Sequence, residues 1–388
     1  MCIRDRIYSR NVPAIDLLAR VGHDEFHEFL VNAEISGLKS PDYYGLAMIL
    51  GGNEVTMEEL VRMYAMLANG GNLRPLKYLR QEDPVNDARK LLSPESSFLV
   101  LDMLRKNPRP DALTIDYATS QMPIAWKTGT SYAFRDAWTV GIVGPYVLAV
   151  WVGNFDGSSN AAFVGRQAAA PLFFSIADEL SSGLPDHFLN TAPAPDLNLR
   201  RVAMCANTGD LPGRHCPQIA DSWFVPGVSP IKVSDVHRAI RVDNSTGERV
   251  CDYNSKTSHE EVFEFWPSDI LRVFRKAGVA VRRPPPWAKN CALDLQAASG
   301  LMPKITSPSS RLTYHLQPNK MDDDVLPLTA ITDADVQWLY WFANDSFIAK
   351  VERDEPLFWQ PEVGNYDIFA VDDLGRSAST SLTVSVAQ

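Results

Sequence analysis

One short stretch of the sequence, Lys-Thr-Gly-Thr-Ser beginning at Lys127, combines residue types that suit acyl transfer. Lys127 supplies a cation that biases proton movement, and Gly129 lets a peptide backbone approach where a Cβ would intrude. The hydroxyls of Thr128 and Thr130 can bind a terminal carboxylate, and we place Ser131 with them as a substrate-binding residue. The Thr130 N–H is the predicted oxyanion donor, a role worth about 3 kcal/mol of transition-state stabilisation.

Lys-Thr-Gly alone is a weak signal, and its alternative interpretation is a strand end followed by a turn glycine. The surrounding sequence favours the catalytic interpretation, because the motif ends one predicted strand, residues 124–128, and a second predicted strand begins at Ala137. A hairpin of this kind presents a strand edge along which a peptide substrate can bind.

Ser9-Arg10-Asn11 is the second candidate motif. Serine acyltransferases that carry Lys-Thr-Gly also use Ser-x-Asn, in which the hydroxyl relays a proton and the amide holds substrate. We therefore predict Ser9 and Asn11 as catalytic residues beside Lys127. The alternative is a plain helix N-cap, which Ser and Asn also favour. Because Lys127 occurs in the same chain, we favour the catalytic interpretation.

Helical and strand patterns alternate through the first 183 residues and supply the elements that must position these motifs. Thr56 and Glu59 form a capping box at the start of the strongest predicted helix, and Asn-Gly-Gly at residues 69–71 ends it. The other predicted elements are helices at 13–20, 24–33, 93–103 and 168–180 and strands at 124–128, 137–142 and 146–152.

Two proline-rich stretches follow, at residues 191–195 and 284–286, and predict a linker and a polyproline spacer. Between them lies a turn-rich segment that carries cysteines and has no clear predicted fold. From about residue 300, short alternating runs at 336–342, 347–351, 366–371 and 381–386 predict a compact β-sandwich.

The aromatic run that begins at Trp338 has two interpretations. Period-2 alternation places Trp338, Tyr340 and Phe342 on one face of a strand, and we predict that this face is sandwich core. The alternative is contact with a glycan through the exposed rings.

The overall composition excludes some classes of protein. With 388 residues, 45% of them hydrophobic, the chain can form two or three domains with their own cores. A net charge of -10 argues against a polyanion-binding surface, so nucleic acid is not expected as a partner. No uninterrupted run of 18 apolar residues predicts a membrane span, and charged residues 1–6 differ from a signal peptide. We interpret them as a non-native leader.

Several ordered segments resemble the transpeptidase domain of class A penicillin-binding proteins. They are Ser-Arg-Asn-Val-Pro-Ala from Ser9, Tyr-Gly-Leu-Ala from Tyr44, Leu-Gly-Gly-Asn-Glu-Val-Thr from Leu50, Tyr-Ala-Met-Leu-Ala-Asn-Gly-Gly from Tyr64 and Trp-Lys-Thr-Gly-Thr-Ser from Trp126. Later segments resemble the 1C branch of that family, namely residues 134–138, 150–154, 205–237 and 364–376. The similarity runs from residue 7 almost to the end of the chain.

The resemblance implies an α+β fold: a partial penicillin-binding, serine β-lactamase-like domain of helices on an antiparallel sheet, then a linker segment and a small immunoglobulin-like sandwich. We expect these parts at residues 7–190, 191–299 and 300–388. It also implies a parent that is a peptidoglycan glycosyltransferase and D-Ala-D-Ala transpeptidase at the periplasmic face of the bacterial inner membrane. Its ligands would be stem peptides and β-lactams, with a cell-wall or periplasmic protein partner for the C-terminal domain and no cofactor.

In this family the nucleophile lies in a Ser-x-x-Lys motif ahead of Ser-x-Asn, and no such motif precedes Ser9 in this sequence. Two occur later, at Ser36 and Ser229, and we reject both because they follow Ser9 and neither opens a convincing helix. We therefore expect a fragment that lacks its nucleophile and is inactive alone. The alternative function is a non-catalytic protein that binds the cell wall through its sandwich.

Five cysteines, four of them between residues 205 and 291, suit an oxidising compartment, although their pairing stays open. Cys205, Cys216 and Cys251 with His237 could be imagined as a zinc site, but no short Cys-x-x-Cys occurs. Disulfides or free thiols are the favoured interpretation, and we predict no metal.

Overall fold

The structure is a computed structural model that describes residues 7–79, 87–110, 122–251, 256–291, 300–309, 313–316 and 325–386. The proposed leader, residues 1–6, lies outside the described residues. The chain forms two compact units, one of residues 1–202 with 222–230 and one of residues 203–221 with 231–388. In the described part of the chain, every helix is too short or too polar to cross a membrane.

The first unit begins with helices and contains a small antiparallel sheet. Its helices are α1 (Asn11–Val21), α2 (His23–Asn32), α3 (Pro41–Tyr44), α4 (Met57–Ala68), α5 (Pro94–Arg105) and α6 (Ala169–Ser181), with 3-10 turns at Gly45–Leu50, Tyr132–Phe134 and Asp186–Leu189. Its strands are β1 (Asn72–Leu73), β2 (Arg89–Lys90), β3 (Ala125–Thr130), β4 (Asp136–Val143) and β5 (Tyr146–Gly153).

Local signals in the sequence set the boundaries of two of these helices. The capping box of α4 is present, because Thr56 Oγ1 accepts from the Glu59 N–H and Glu59 Oε2 accepts from the Thr56 N–H. At α5, Ser93 Oγ accepts from the Ser96 N–H, and Pro94 occupies the first turn, where its missing N–H costs nothing. Both starts confirm the sequence predictions.

The sheet of the first unit has the order β3-β4-β5, so β3 lies at one edge of these three strands. Trp126, Phe173 and Phe174 form the centre of the cluster between the sheet and α6. Ala125, the neighbour of Trp126, points to the other face and packs with Leu101 and Leu104 of α5. The sheet is therefore covered by helices on both faces, which confirms the predicted α+β class.

The second unit contains most of the cysteine-bearing segment and the sandwich. Within it, β8 (His237–Asp243) and β9 (Ser258–Glu264) form a two-stranded sheet, followed by α7 (Ser268–Lys276). Another two-stranded sheet consists of β6 (Arg200–Cys205) and β7 (Ile219–Phe224), whose residues are divided between the two units. Disulfides join Cys205 to Cys216 and Cys251 to Cys291. The favoured alternative to zinc is thus observed, and the described residues contain no cluster suited to a metal ion.

The proline stretch at residues 284–286 does not act as a free spacer, contrary to the prediction. The Pro286 carbonyl accepts from the Arg249 N–H at 2.8 Å, and the Arg282 carbonyl just before the stretch accepts from the Glu264 N–H at 2.8 Å. Extended chain leaves its backbone groups unpaired within the segment, so a neighbouring strand can bind them.

The C-terminal sandwich consists of two sheets around one core. The smaller sheet contains β10 (Lys304–Ser307), β12 (Leu326–Ile331) and β15 (Leu357–Trp359), and the larger contains β11 (Thr313–Leu316), β13 (Trp338–Ala343), β14 (Ser346–Glu352), β16 (Gly364–Asp372) and β17 (Ser377–Val386). The order of the larger sheet is β11-β17-β16-β13-β14. Leu328 of the smaller sheet and Trp341 and Ile368 of the larger are fully buried together.

The prediction of which face of β13 is core was wrong. Leu339, Trp341 and Ala343 are buried, whereas Trp338 and Tyr340 lie on the outward face of the sheet. A run of five consecutive apolar residues can be placed in either register, because the side-chain period is 2 and both faces look hydrophobic.

Candidate functional site

Two motifs that are 118 residues apart in sequence meet in the first unit. Strand β3 carries Lys127, and the turn before α1 carries Ser9. The Lys127 ammonium donates a hydrogen bond to the Ser9 hydroxyl and a second, at 2.8 Å, to the Thr128 carbonyl. Lys127 is partly buried and Ser9 is exposed, so the serine–lysine pair lies at an accessible surface. Asn11 is exposed as well, two residues after Ser9.

The turn before α1 holds Ser9 in the left-handed region, with φ of 52°. The N-cap of the helix is Arg10, which makes no side-chain capping bond, and Asn11 is already the first helical residue. The alternative interpretation of Ser-x-Asn as a plain helix cap is therefore not what the structure contains. A left-handed serine costs backbone energy, and such residues cluster at functional sites.

Strand β3 directs backbone groups away from its partner β4. The Ser131 N–H donates to the Asp136 carbonyl at 3.0 Å, which makes alternate residues of β3 the ones bonded to β4. The N–H and C=O groups of Thr128 and Thr130 consequently point to the opposite edge, and Lys127 Nζ binds the Thr128 carbonyl on that side. An extended peptide can add to such an edge.

The Thr130 hydroxyl accepts a hydrogen bond from the Gly165 N–H at 2.9 Å. A hydroxyl that accepts one bond still carries a hydrogen to donate, so it can bind a carboxylate oxygen. Gly165 belongs to the loop between β5 and α6, and sequence reasoning missed it because a single glycine in a polar loop carries no signal of its own.

The two glycines near this edge have different steric surroundings. A Cβ on Gly129 would meet Trp138 Cβ at 3.5 Å, an ordinary contact, whereas a Cβ on Gly165 would lie 2.4 Å from the Gly129 carbonyl oxygen. Gly165 is thus required by packing against β3. Gly129 is not required by its described neighbours, which is consistent with space kept for a ligand.

Ser131 shapes the turn after β3. Its Oγ accepts from the Asp136 N–H at 2.8 Å, and the Asp136 carboxylate accepts from Trp151 Nε1 at 2.9 Å. The turn between them places Tyr132 in solvent with 90% of its surface exposed. The structure therefore gives Ser131 a local contact within the hairpin. Asp136 contacts both Ser131 and Trp151, and the sequence did not single it out.

The two later Ser-x-x-Lys strings lie outside helix starts. Ser36 follows α2 in a turn, where its N–H donates to Glu59 Oε1 at 2.7 Å. Ser229 Oγ accepts from the Val225 N–H at 3.0 Å, also in a turn. Neither string has the helical geometry that would present Ser and Lys side chains on one face.

Three family profiles match successive parts of the chain. The penicillin binding protein transpeptidase domain matches residues 7–173, a range that includes every residue of the site described above. The C-terminal domain of penicillin-binding protein 1A matches residues 195–239, and the penicillin-binding protein C-terminus family matches residues 292–384. Penicillin-binding protein 1C of Escherichia coli (strain K12) is 26% identical over 406 residues, which cover 97% of this chain and 49% of that protein.

By these matches the chain is similar to class A penicillin-binding proteins of the 1C type. It is also similar to penicillin-binding protein 1A of Clostridium botulinum, with 28% identity over 49% of this chain and 24% of that protein. For penicillin-binding protein 1A of Aquifex aeolicus the identity is 27%, over 48% and 26%. This 1C-like chain spans about half the length of the 1C relative and about a quarter of the 1A relatives.

Solved structures superpose on parts of this 1C-like chain. A crystal structure of penicillin-binding protein 1A from Haemophilus influenzae has a TM-score of 0.46 and 20% identity, over 60% of this chain and 41% of that one. The fibronectin(III)-like modules of Clostridium thermocellum CbhA cover 22% of this chain, with a TM-score of 0.18 and 23% identity.

Proposed function

We propose that this chain supplies the Lys-Thr-Gly edge and the Ser-x-Asn turn of a peptidoglycan transpeptidase that works by serine acyl transfer. The contact between Lys127 Nζ and Ser9 Oγ carries the proposal, because it joins two motifs that nothing in the sequence spacing brings together. The match of residues 7–173 to the transpeptidase profile supports the same reaction class.

In this proposal, Lys127 and Ser9 form a proton relay between the attacking serine and the leaving group. The lysine cation and the serine hydroxyl are in direct contact, so a proton can pass between them without a bridging water. Asn11, one helical position beyond Arg10, would hold the amide backbone of the substrate.

The edge of β3 that faces away from β4 would bind the stem peptide as an added strand. The outward Thr130 N–H is the proposed oxyanion donor, and the Thr128 and Thr130 hydroxyls, with Ser131 completing the turn, would receive the terminal carboxylate. A serine hydroxyl would attack the penultimate D-alanine carbonyl and form an ester, while the amide bond to the terminal D-alanine breaks and that D-alanine leaves with the relayed proton. A β-lactam would acylate the same serine through opening of its ring amide. The expected parent acts at the periplasmic face of the bacterial inner membrane and also polymerises glycan.

The 388-residue chain is proposed to be inactive alone, because no Ser-x-x-Lys precedes Ser9 and the two later strings lie in turns. Removing the nucleophile of a serine acyl enzyme lowers its rate by about 10⁶-fold. No cofactor takes part in this proposal.

Labelling with a fluorescent penicillin tests the proposal. The purified 388-residue chain should take no covalent label, and the protein translated from the gene extended upstream to a Ser-x-x-Lys serine should be labelled. Lys127→Ala in the extended protein should slow acylation by about 10²–10⁴-fold. Lys90→Ala, which removes an exposed lysine of β2 in the same unit, is the matched control and should label normally.

Two results would contradict the proposal. One is a covalent label on the 388-residue chain itself, which would mean that a serine within it reacts. The other is an extended, folded protein whose labelling does not depend on Lys127. That second result would favour the alternative function, a non-catalytic protein that binds the cell wall through its sandwich.

A further inference from the structure

The outward face of the larger sandwich sheet carries aromatic rings where a solvent-exposed sheet face normally carries polar side chains. Trp338, Tyr340 and Phe342 occupy alternate positions of β13, and Phe369 of β16 and Phe347 of β14 are paired with Phe342 across the strands. The exposed fractions of Trp338, Phe347 and Phe369 are 36%, 57% and 37%. These five side chains together form the aromatic face.

A row of hydroxyl groups lies next to the aromatic face. Ser377, Ser379, Ser381 and Thr383 are exposed at alternate positions of β17, and Ser379 is paired with Phe369. Two cross-strand bonds orient polar groups there, from Ser381 Oγ to the Asp367 carboxylate and from Thr383 Oγ1 to Asn365 Oδ1, both at 2.9 Å. One continuous surface therefore offers flat rings on one side and fixed hydrogen-bonding groups on the other.

We propose that this surface binds a polysaccharide strand, with sugar rings stacked on the aromatic face and sugar hydroxyls bonded to the row on β17. The identification of that strand as the glycan of peptidoglycan rests on the proposed function. The chemistry of the surface favours sugar over a second protein, because sugar rings have apolar C–H faces and hydroxyl edges in the same molecule. The described outward side chains of β13, β16 and β17 are aromatic or polar, with Val371 as the single aliphatic residue among them.

The geometry of the row suits a linear polymer. Alternate residues of a strand are about 7 Å apart, so Trp338, Tyr340 and Phe342 form a line of rings rather than a single pocket. The charge of the surface is mixed, with Asp367 on β16 and Glu352 and Lys350 on β14, which does not suit a polyanion such as nucleic acid.

Lys350 lies over the aromatic face. Its ammonium is 4.1 Å from the centroid of the Trp338 ring and 5.4 Å from that of Tyr340. Lys350 is exposed on a flexible stem, so an incoming sugar ring can take its place while the ammonium turns to the edge of the ligand. Lys350→Ala should therefore keep or increase the affinity for a neutral oligosaccharide.

The test uses the whole 388-residue chain and the hexamer of β-1,4-linked N-acetylglucosamine, a soluble chain of the sugar type found in peptidoglycan that carries no peptide. Binding is measured by calorimetry and by tryptophan fluorescence. The double variant Trp338→Ala/Tyr340→Ala should weaken binding about tenfold or more. Phe358→Ala is the matched control, because Phe358 is an aromatic residue with 62% exposure on β15 of the other sheet, and it should bind as the unmodified chain does.

Thermal unfolding shows whether the variants are folded, and outward-facing substitutions should leave it nearly unchanged. Lack of hexamer binding by the unmodified chain would overturn the proposal, and so would equal binding by the double variant. Binding only to peptidoglycan that retains stem peptides would overturn it as well, since it would assign the affinity to peptide. Lys127→Ala should not affect hexamer binding. Failure of the transpeptidase proposal can therefore be distinguished from failure of the glycan proposal.

Discussion

At the scale of single residues, Lys127 and Ser9 show what a sequence can and cannot predict. The residue types identified both as catalytic candidates, because lysine before Thr-Gly and serine two residues before asparagine suit acyl transfer. Their contact joins residues that are 118 positions apart, and neither that contact nor the left-handed backbone of Ser9 has a local sequence signal. The roles of Asn11, Thr128 and Thr130 stay predictions.

If Lys127 and Ser9 act as one relay, their substitutions should not be additive. In the protein extended upstream to the nucleophile, Ser9→Ala should slow acylation by a penicillin about 10²-fold or more. The double variant with Lys127→Ala should then be little slower than Lys127→Ala alone, because removing either member breaks the relay. Stopped-flow acylation kinetics measure this. Strictly multiplicative effects would mean that the two side chains act independently.

The two glycines beside β3 should respond differently to alanine. Gly129→Ala should leave thermal unfolding nearly unchanged, since its Cβ meets Trp138 at 3.5 Å, but should slow acylation about 10²-fold by displacing the ligand backbone. Gly165→Ala should lower the free energy of unfolding by about 1–3 kcal/mol, because its Cβ would overlap the Gly129 carbonyl oxygen. Equal effects of both variants on stability would contradict the proposal that space at Gly129 is kept for substrate.

At the scale of elements, helix and strand positions were largely predictable because each carried its own period. The predicted positions of α1, α2, α4, α6 and of β3–β5 agree with the structure to within a few residues. The strands between residues 200 and 264 were missed. In β8, for example, two arginines and an aspartate interrupt the alternation of apolar and polar residues. Its pairing with β9 could therefore not be predicted from the local sequence. The prediction of which face of β13 is buried failed for the opposite reason, since both of its faces are apolar.

Glu59 joins α4 to the segment after α2. Its carboxylate accepts from the Thr56 N–H at 2.8 Å and from the Ser36 N–H at 2.7 Å, and the side chain is buried. Burial alone would raise the pKa of Glu59, but these hydrogen bonds outweigh it and hold the pKa below the ordinary value of 4.5. The capping bond was predictable from the Thr-x-x-Glu spacing, whereas the bond to Ser36 was not.

Glu59→Ala should lower the free energy of unfolding at pH 7 by about 1–3 kcal/mol, because the N–H groups of Thr56 and Ser36 lose a carboxylate acceptor. Since the folded-state pKa of Glu59 is lowered, its contribution is fully present above the unfolded-state pKa and is lost as the pH falls through the folded-state value. The difference between the variant and the unmodified chain should therefore shrink in acid. Urea unfolding at pH 7 and below pH 4 measures it, with exposed Glu28→Ala of α2 as control. A difference that is constant with pH would contradict this account.

At the scale of the whole molecule, composition predicted several cores and alternating runs predicted the sandwich, but neither predicted the ionic groups that the second unit buries. Asp335 accepts from Arg249 at 3.0 Å and from Arg376 at 2.9 Å, and the side chains of all three are at most 4% exposed. Arg376 also donates to Asp372 at 2.6 Å. Charged residues are almost never fully buried unless paired, so a sequence that does not reveal their partners suggests a surface position for each of them.

These contacts make the segment around β8 and the sandwich parts of one buried network. Burial lowers the pKa of Arg249 even with Asp335 beside it. Arg376 is also buried, but the carboxylates of Asp335 and Asp372 outweigh that burial and raise its pKa. Asp335 is therefore the carboxylate shared by both arginines, and Arg249 is the partner that depends on it more.

Asp335→Ala should lower the free energy of unfolding of the second unit by about 3–5 kcal/mol, because it removes the carboxylate that is hydrogen-bonded to the buried Arg249 guanidinium. Asp235→Ala, which removes the half-exposed partner of Arg238, should cost at most about 1 kcal/mol and serves as control. Hydrogen exchange measured by mass spectrometry should show β8, β9 and the sandwich strands losing protection together. The reason is that Arg249, near β8, and Arg376, in the sandwich, both lose their bond to Asp335. Loss confined to β8 and β9, with the sandwich unchanged, would mean that residues 231–291 unfold independently and that the shared carboxylate does not couple them.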